Sequence, residues 1–232
     1  MRNGQRIYDT HTHMGRSVHS GRVVSAEDLL RVMDAGGVDR AVVIPYPVVA
    51  DYRAEHDVIG DAVQRYPERF TGTIGFPAFL PREEMLGEAR RCVERWGARA
   101  LKLQPQYQPV NPLSRWADDW FSVAAEFDLT MIIHTGMGVP FALPSLWMMP
   151  ARRYPSVRVV LGHAGGPMLY PETVVAASML ENIYIEVSTL AANHVADILK
   201  HVPASRLMLG SDLPECTATE MEKPFALGLN AE

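Results

Sequence analysis

The feature that most constrains this chain is an alternation. Eight short runs rich in β-branched and apolar residues recur along its 232 residues, each bounded by turn residues and each followed by a segment of helical period or composition. The runs are RIYDTHTH (6–13), RAVVIP (40–45), FTGTIGF (70–76), RALKLQ (99–104), LTMIIHT (129–135), VRVVLGH (157–163), IYIEVS (183–188) and RLMLGSD (206–212). Between them lie SAEDLLRVMDAG, DVIGDAVQRYPE, REEMLGEARRCVERWG, WADDWFSVAAEFD, LPSLWMMPARRYP, PETVVAASMLEN and AANHVADILKHVP. The first of these carries its own punctuation, with Ser25 and Asp28 at its start and Gly36-Gly37 at its end.

Strands that read as continuously apolar are expected to be covered on both faces. Eightfold strand–helix alternation without a shift in composition therefore predicts one α/β domain over residues 1–232, a (β/α)8 TIM barrel. A doubly wound open sheet is the competing architecture. It would favour a glycine-rich phosphate loop after the first strand, where this chain has HTHMGRS, and no GxGxxG occurs anywhere. Only 20 residues follow Asp212, with Pro214 and Pro224 among them, so the last helix is expected to be short or truncated. A seam so poorly covered predicts a homodimer or larger homo-oligomer.

Composition closes several routes. A net charge of -5 without a Lys/Arg-rich run argues against nucleic acid as a partner. Cys92 and Cys216 are too few for a disulfide framework. The first ten residues lack an apolar signal core and no 18-residue apolar run exists, so neither export nor membrane insertion is expected, and the cytoplasm is the expected compartment.

The chemistry begins with DTHTHMG. On a strand, His11 and His13 point to one face about 7 Å apart, a spacing that suits two ligands converging on one ion. Chance alone would supply roughly 0.3 such pairs in a chain with this many histidines, so the pair needs partners. The barrel supplies them, because functional groups of such folds gather at the C-terminal ends of the strands. His134 ends the fifth run, His163 the sixth and Asp212 the eighth, so five candidates share one rim. His19, His56, His194 and His201 fall in loops or helices and are read as solvated or helix-end residues. Imidazole and carboxylate donors without thiolates suit Zn2+ first, with Mn2+, Fe2+ or Co2+ open.

DTHTHMG, ALKLQP, MIIHTG, VVLGHAGG, IYIEVS and LMLGSDLP, in this order and spacing, resemble the amidohydrolase superfamily of metal-dependent barrels. They are most similar to its amidohydrolase 2 branch, which includes aminocarboxymuconate-semialdehyde decarboxylase. The resemblance covers nearly the whole chain. It implies that His11, His13, His134 and Asp212 hold a single divalent metal, and that His163 is the adjacent acid/base group, with Asp212 doubling as a catalytic proton carrier. Lys102 is implied either as a carbamylated bridge between two metals or, with one metal, as an ion-pairing or substrate-facing group.

Three further residues or segments carry expectations from the sequence. Glu186 interrupts an apolar strand and either orients a ligand histidine or is satisfied by nearby backbone. Arg16, just past the HxH, is read either as a grip for a substrate carboxylate or as a surface arginine without a role. PSLWMMPARRYP reads as a helix packed on the barrel, with a pocket wall or subunit contact as the alternative. The expected activity is metal-assisted hydrolysis of an ester, lactone or amide in a small, carboxylate-bearing substrate. Non-oxidative decarboxylation is the alternative, and a barrel that binds without turnover is the third class.

Overall fold

A computed structural model describes residues 4–229. In chain order the strands are β1 (Tyr8–Arg16), β2 (Val23–Val24), β3 (Arg40–Pro45), β4 (Phe70–Gly75), β5 (Ala100–Leu103), β6 (Thr130–His134), β7 (Val159–Gly162), β8 (Ile183–Glu186) and β9 (Leu207–Met208). The helices are α1 (Ala26–Gly36), α2 (Tyr52–Arg65), α3 (Arg82–Trp96), α4 (Arg115–Glu126), α5 (Met148–Arg153), α6 (Gly166–Met179), α7 (Ala192–Ile198), α8 (Thr217–Glu220) and α9 (Lys223–Ala226). The sheet order is β2-β1-β3-β4-β5-β6-β7-β8-β9, and every pairing except the short β1–β2 ribbon is parallel.

Eight parallel strands close on themselves. Thr10 N–H donates to Leu209 C=O at 2.8 Å, Asp212 N–H donates to His11 C=O at 2.7 Å, and Thr12 bridges Asp212. The architecture is the (β/α)8 barrel that the alternation predicts. Its eighth strand is shorter than the RLMLGSD run, because the ladder stops at Met208 and the chain turns at Asp212, whose φ of 60° is left-handed. The helix expected over PSLWMMPARRYP is instead a 3-10 turn at Pro144–Trp147 followed by α5, with Trp147 buried. The sequence reading also missed β2, two residues long. At α1 the expected punctuation holds: Ser25 and Asp28 form a reciprocal capping box and Gly37 takes the left-handed cap.

Strand alternation decides what faces where. Ile44, Ala100, Ile132 and Val160 form an inner apolar layer, while Val43, Leu101, Leu103, Met131, Ile133, Val159 and Leu161 belong to the larger core that includes the helices. Two residues beyond the inner layer, on the same inward side, come Lys102, His134 and Gly162, with Glu186 two beyond Tyr184. The floor is thus apolar and the C-terminal rim polar. β1 contributes His11 from within a register shift between Asp9 and Thr12, and His13 just after it.

The seam depends on a buried carboxylate that the sequence reading passed over. Asp9 accepts from Ser211 Oγ–H at 2.6 Å, from Ser211 N–H at 3.0 Å and from His11 N–H at 3.1 Å, tying β1 to the segment after β9. Its outer side is not bare: Met221 is fully buried and α8 packs on α1. The poor coverage expected after Asp212 is therefore corrected, since short α8 and α9 cover what a full helix was expected to cover. Asp9→Ala would leave the Ser211 hydroxyl and the His11 N–H without an acceptor, Ser211 N–H keeping His11 C=O, and should cost about 2–4 kcal/mol, with the near-isosteric Asp9→Asn costing less, measured as urea midpoints at unchanged slope.

Candidate metal centre

His11 is the central residue of the rim. It is fully buried, its Nδ1 lies 2.7 Å from Glu186 Oε2, and its Nε2 lies 2.9 Å from Lys102 Nζ. A lysine ammonium can only donate, so His11 accepts at Nε2 and donates Nδ1–H to Glu186. That tautomer turns the Nε2 lone pair toward the barrel axis. Room for the ring comes from two glycines: a Cβ at Gly162 would lie 3.3 Å from His11 Cε1, and one at Gly210 would lie 2.7 Å from His11 Cβ and 2.5 Å from Glu186 Oε1. A glycine just before His163 and another two residues before Asp212 were the readable signal, since glycine inside a strand marks close approach.

Asp212 Oδ1 collects the remaining rings. It lies 3.7 Å from His11 Nε2, 3.7 Å from His13 Nε2 and 3.9 Å from His163 Nε2. Two ligands about 2.1 Å from a tetrahedral ion stand about 3.4 Å apart, so these separations fit a divalent metal with little adjustment. Among the described residues, the ligand atoms of His11, His13 and Asp212 fall within 4.8 Å of one another, and those of His11, His163 and Glu186 form a second such group. His134 joins neither group, although its ring centroid is 4.7 Å from that of His163. The structure thus brings His11, His13, Asp212 and His163 together and leaves His134 one ring further out.

Glu186 holds the arrangement rigid. Besides His11, it accepts from His163 N–H at 3.1 Å, from Ser188 Oγ–H at 2.9 Å and from Ser188 N–H. Ser188 Oγ also lies 2.7 Å from His163 Nδ1. The hydroxyl has one proton and gives it to Glu186, so His163 must carry its own proton on Nδ1, again leaving Nε2 as a lone pair facing Asp212. Ser188 was not singled out in the sequence. His163 and Asp212 both adopt left-handed backbone, at φ 63° and 60°, strain that the surrounding bonds must hold.

Burial dominates the electrostatics. It pushes His13 down to about 3 and His134 down to about 2, and it holds His11 and His163 well below the ordinary imidazole range. Neighbouring positive charge adds to this, Lys102 for His11 and His13 and the other rings for His134 and His163. The same burial lowers the Lys102 ammonium to about 8 and raises the Asp9 carboxyl to about 7. Neutral imidazoles are the form that binds a cation.

Two adjoining cavities open on the rim. One of about 240 Å³ meets His13 and Asp212 and is lined by Arg22, Gln104 and Tyr107; the other, of about 300 Å³, meets Lys102 and is walled by Tyr52 and Phe76. Tyr46, whose ring stacks on His13 at 5.1 Å, and Tyr107 line both. Arg16 is exposed and lines neither; the guanidinium at the smaller cavity belongs to Arg22, which pairs with Glu215. His56 also departs from expectation. It is buried on α2, with Nδ1 2.7 Å from Glu88 Oε1 and Nε2 bonded to Gly75, a packing role set by the barrel-facing side of that helix. His19 and His201 are exposed, and His194 is half-buried.

The family model described as Amidohydrolase matches residues 8–230, and the chain belongs to that family. No curated protein matches the sequence. Among solved structures, an uncharacterized TIM-barrel protein from Bordetella bronchiseptica superposes with a TM-score of 0.76 at 17% identity, covering 98% of this chain and 92% of that one. A 5-carboxyvanillate decarboxylase from Novosphingobium aromaticivorans, complexed with manganese and 4-hydroxy-3-methoxy-5-nitrobenzoic acid, gives 0.75 at 17% identity, with 98% and 92% covered. A putative 2-pyrone-4,6-dicarboxylic acid hydrolase from Pseudomonas putida gives 0.71 at 17%, with 97% and 92% covered. At such identities these likenesses establish the fold. No helix among the described residues is long and apolar enough to cross a membrane.

The depressed imidazoles make a prediction for the chelated protein. Each is neutral when folded and takes up a proton on unfolding once the pH falls below about 6.5, so its contribution to stability is present above that value and lost below it. Asp9, raised to about 7, works in the opposite sense between its unfolded value of 3.8 and 7, but it is one group against four. Urea unfolding at pH 7.5 and pH 5.5 should therefore show a loss of more than about 1 kcal/mol at the lower pH. Equal stabilities would refute the burial of neutral rings.

Proposed function

We propose that this chain is a metal-dependent hydrolase that cleaves an ester, lactone or amide in a small, carboxylate-bearing substrate. The observation that carries the reading is the pair of imidazole Nε2 atoms, from His11 and His13, each 3.7 Å from one oxygen of Asp212. His11, His13, His134 and Asp212 are the proposed ligands, with Zn2+ favoured by the donor set and Mn2+, Fe2+ or Co2+ alternatives. A bound divalent ion supplies Lewis acidity, polarising a carbonyl and making a water molecule acidic enough to react near neutral pH.

The chain's own groups then divide the proton work. Asp212, a quarter exposed toward the smaller cavity, takes the proton of the attacking water and passes it to the leaving group. His163 begins with a lone pair at Nε2, so it accepts a proton before it can donate one. The donor available to a developing oxyanion is the Lys102 ammonium, which lines the larger cavity. A substrate carboxylate finds Arg22 rather than Arg16 at the cavity beside His13 and Asp212, with Glu215 to be displaced or shared.

Arg22 also favours a second reading, non-oxidative decarboxylation, because a guanidinium beside the proton-handling groups could hold a departing carboxylate. A panel of lactones, amides and hydroxylated aromatic acids, followed for acid release and for CO2 release, separates the two. For assembly we propose a homodimer or larger homo-oligomer, tested by light scattering at micromolar concentration, where a monomer would refute it.

Mutants test the site itself. His163→Asn should keep the metal content and lower kcat by about 10²–10⁴. Asp212→Asn should lower both, and His11→Ala should chiefly remove metal, with part of the activity returning in excess metal. Should His163→Asn empty the site, His163 is a ligand in place of His134.

A further inference from the structure

The segment after Asp212 does more than cover the seam. Glu220 and Lys223, both buried, form an ion pair between α8 and α9. Each also holds a backbone group on the loop that follows β8. Lys223 Nζ donates to Val187 C=O at 3.1 Å, and Glu220 Oε1 accepts from Thr189 N–H at 3.1 Å. The residue between those two anchor points is Ser188.

Thr189 is a β-branched residue with a left-handed φ of 66°, a conformation such residues seldom adopt without outside support. Its amide is held by Glu220, so the support comes from the tail. Ser188, fixed on both sides, places its Oγ 2.7 Å from His163 Nδ1 and 2.9 Å from Glu186 Oε2. Rotating the Ser188 backbone would carry the hydroxyl away from both partners at once. His163 would then lose the hydrogen bond that keeps its proton on Nδ1, leaving Glu186 Oε2, 3.8 Å from Nδ1, and Asp212 Oδ1, 3.9 Å from Nε2, to compete for it.

We propose that the Glu220–Lys223 pair is a positioning device, holding the Val187–Thr189 loop so that Ser188 fixes His163 with its proton on Nδ1 and its Nε2 lone pair toward the rim. The pair touches no reacting atom. The catalytic meaning of the device rests on His163 being the acid/base group proposed above, but the tautomer is a property of the folded chain and is read without turnover.

The test is the imidazole 15N–1H correlation spectrum of the EDTA-treated full chain at pH 8, with the His163 signals identified by their loss in His163→Asn. The native chain and Lys223→Arg, which keeps the cation, should show His163 protonated on Nδ1 alone. Glu220→Ala and Lys223→Met should raise the Nε2-protonated fraction at least fivefold, as should Ser188→Ala, which removes the relay directly. Met85→Ala, a buried change in α3 with its own loss of thermal stability, should leave the tautomer native. If Glu220→Ala does not fold, Lys223→Met carries the test, with the same rise in the Nε2-protonated fraction expected. A pure Nδ1 tautomer in Glu220→Ala or in Lys223→Met would overturn the proposal, as would an equal shift in Met85→Ala. Absence of turnover with every substrate of the panel would sink the hydrolase reading and leave this measurement standing.

Discussion

A carboxylate inside a barrel is costly unless donors surround it, and Glu186 is surrounded. It sits fully buried at the end of β8 and receives one bond from the His11 ring, one from the His163 backbone and two from Ser188. Satisfying that charge sets the tautomers of two histidines from different strands. The same satisfaction leaves both Nε2 atoms as lone pairs, that of His11 taken by Lys102 and that of His163 facing Asp212. The rim's capacity to hold a cation is thus a by-product of solving a burial problem one layer below it.

Strain is spent around the same charge. His163, Asp212 and Thr189 take left-handed backbone, and none is glycine. Such conformations persist only where several bonds over-determine them. His163 has its amide on Glu186, Asp212 has its amide on His11 C=O, and Thr189 has its amide on Glu220. Three turns that would be soft in isolation are stiffened by partners distant in sequence.

Much of this was legible in the sequence, for a physical reason. Strand period and helix period survive in a single chain, so the barrel and the strand ends carrying His11, His13, His134, His163 and Asp212 could be read directly. What could not be read depends on long-range pairing. Asp9 looks like any polar residue before an HxH until Ser211 is placed beside it. Ser188 looks like a strand terminus until His163 approaches it. Arg16 and Arg22 were indistinguishable until the β1–β2 ribbon set Arg22 at the cavity wall and left Arg16 outside. His56 seemed a surface helix residue because the identity of its partner, Glu88 on α3, requires knowing how two helices lie together.

The inward-facing alternation has a consequence for how such a chain tolerates change in length. Ala100 and Lys102, Ile132 and His134, Val160 and Gly162 share one face only because each strand keeps its register. Deleting one residue within β5, β6 or β7 would turn a floor residue toward the helices and remove a rim residue in the same stroke. Length variation is therefore confined to the segments beyond the strand ends, where residues can be gained or lost without reassigning either layer. The loops can diverge in size and composition while the ring of donors beneath them stays where the strands put it.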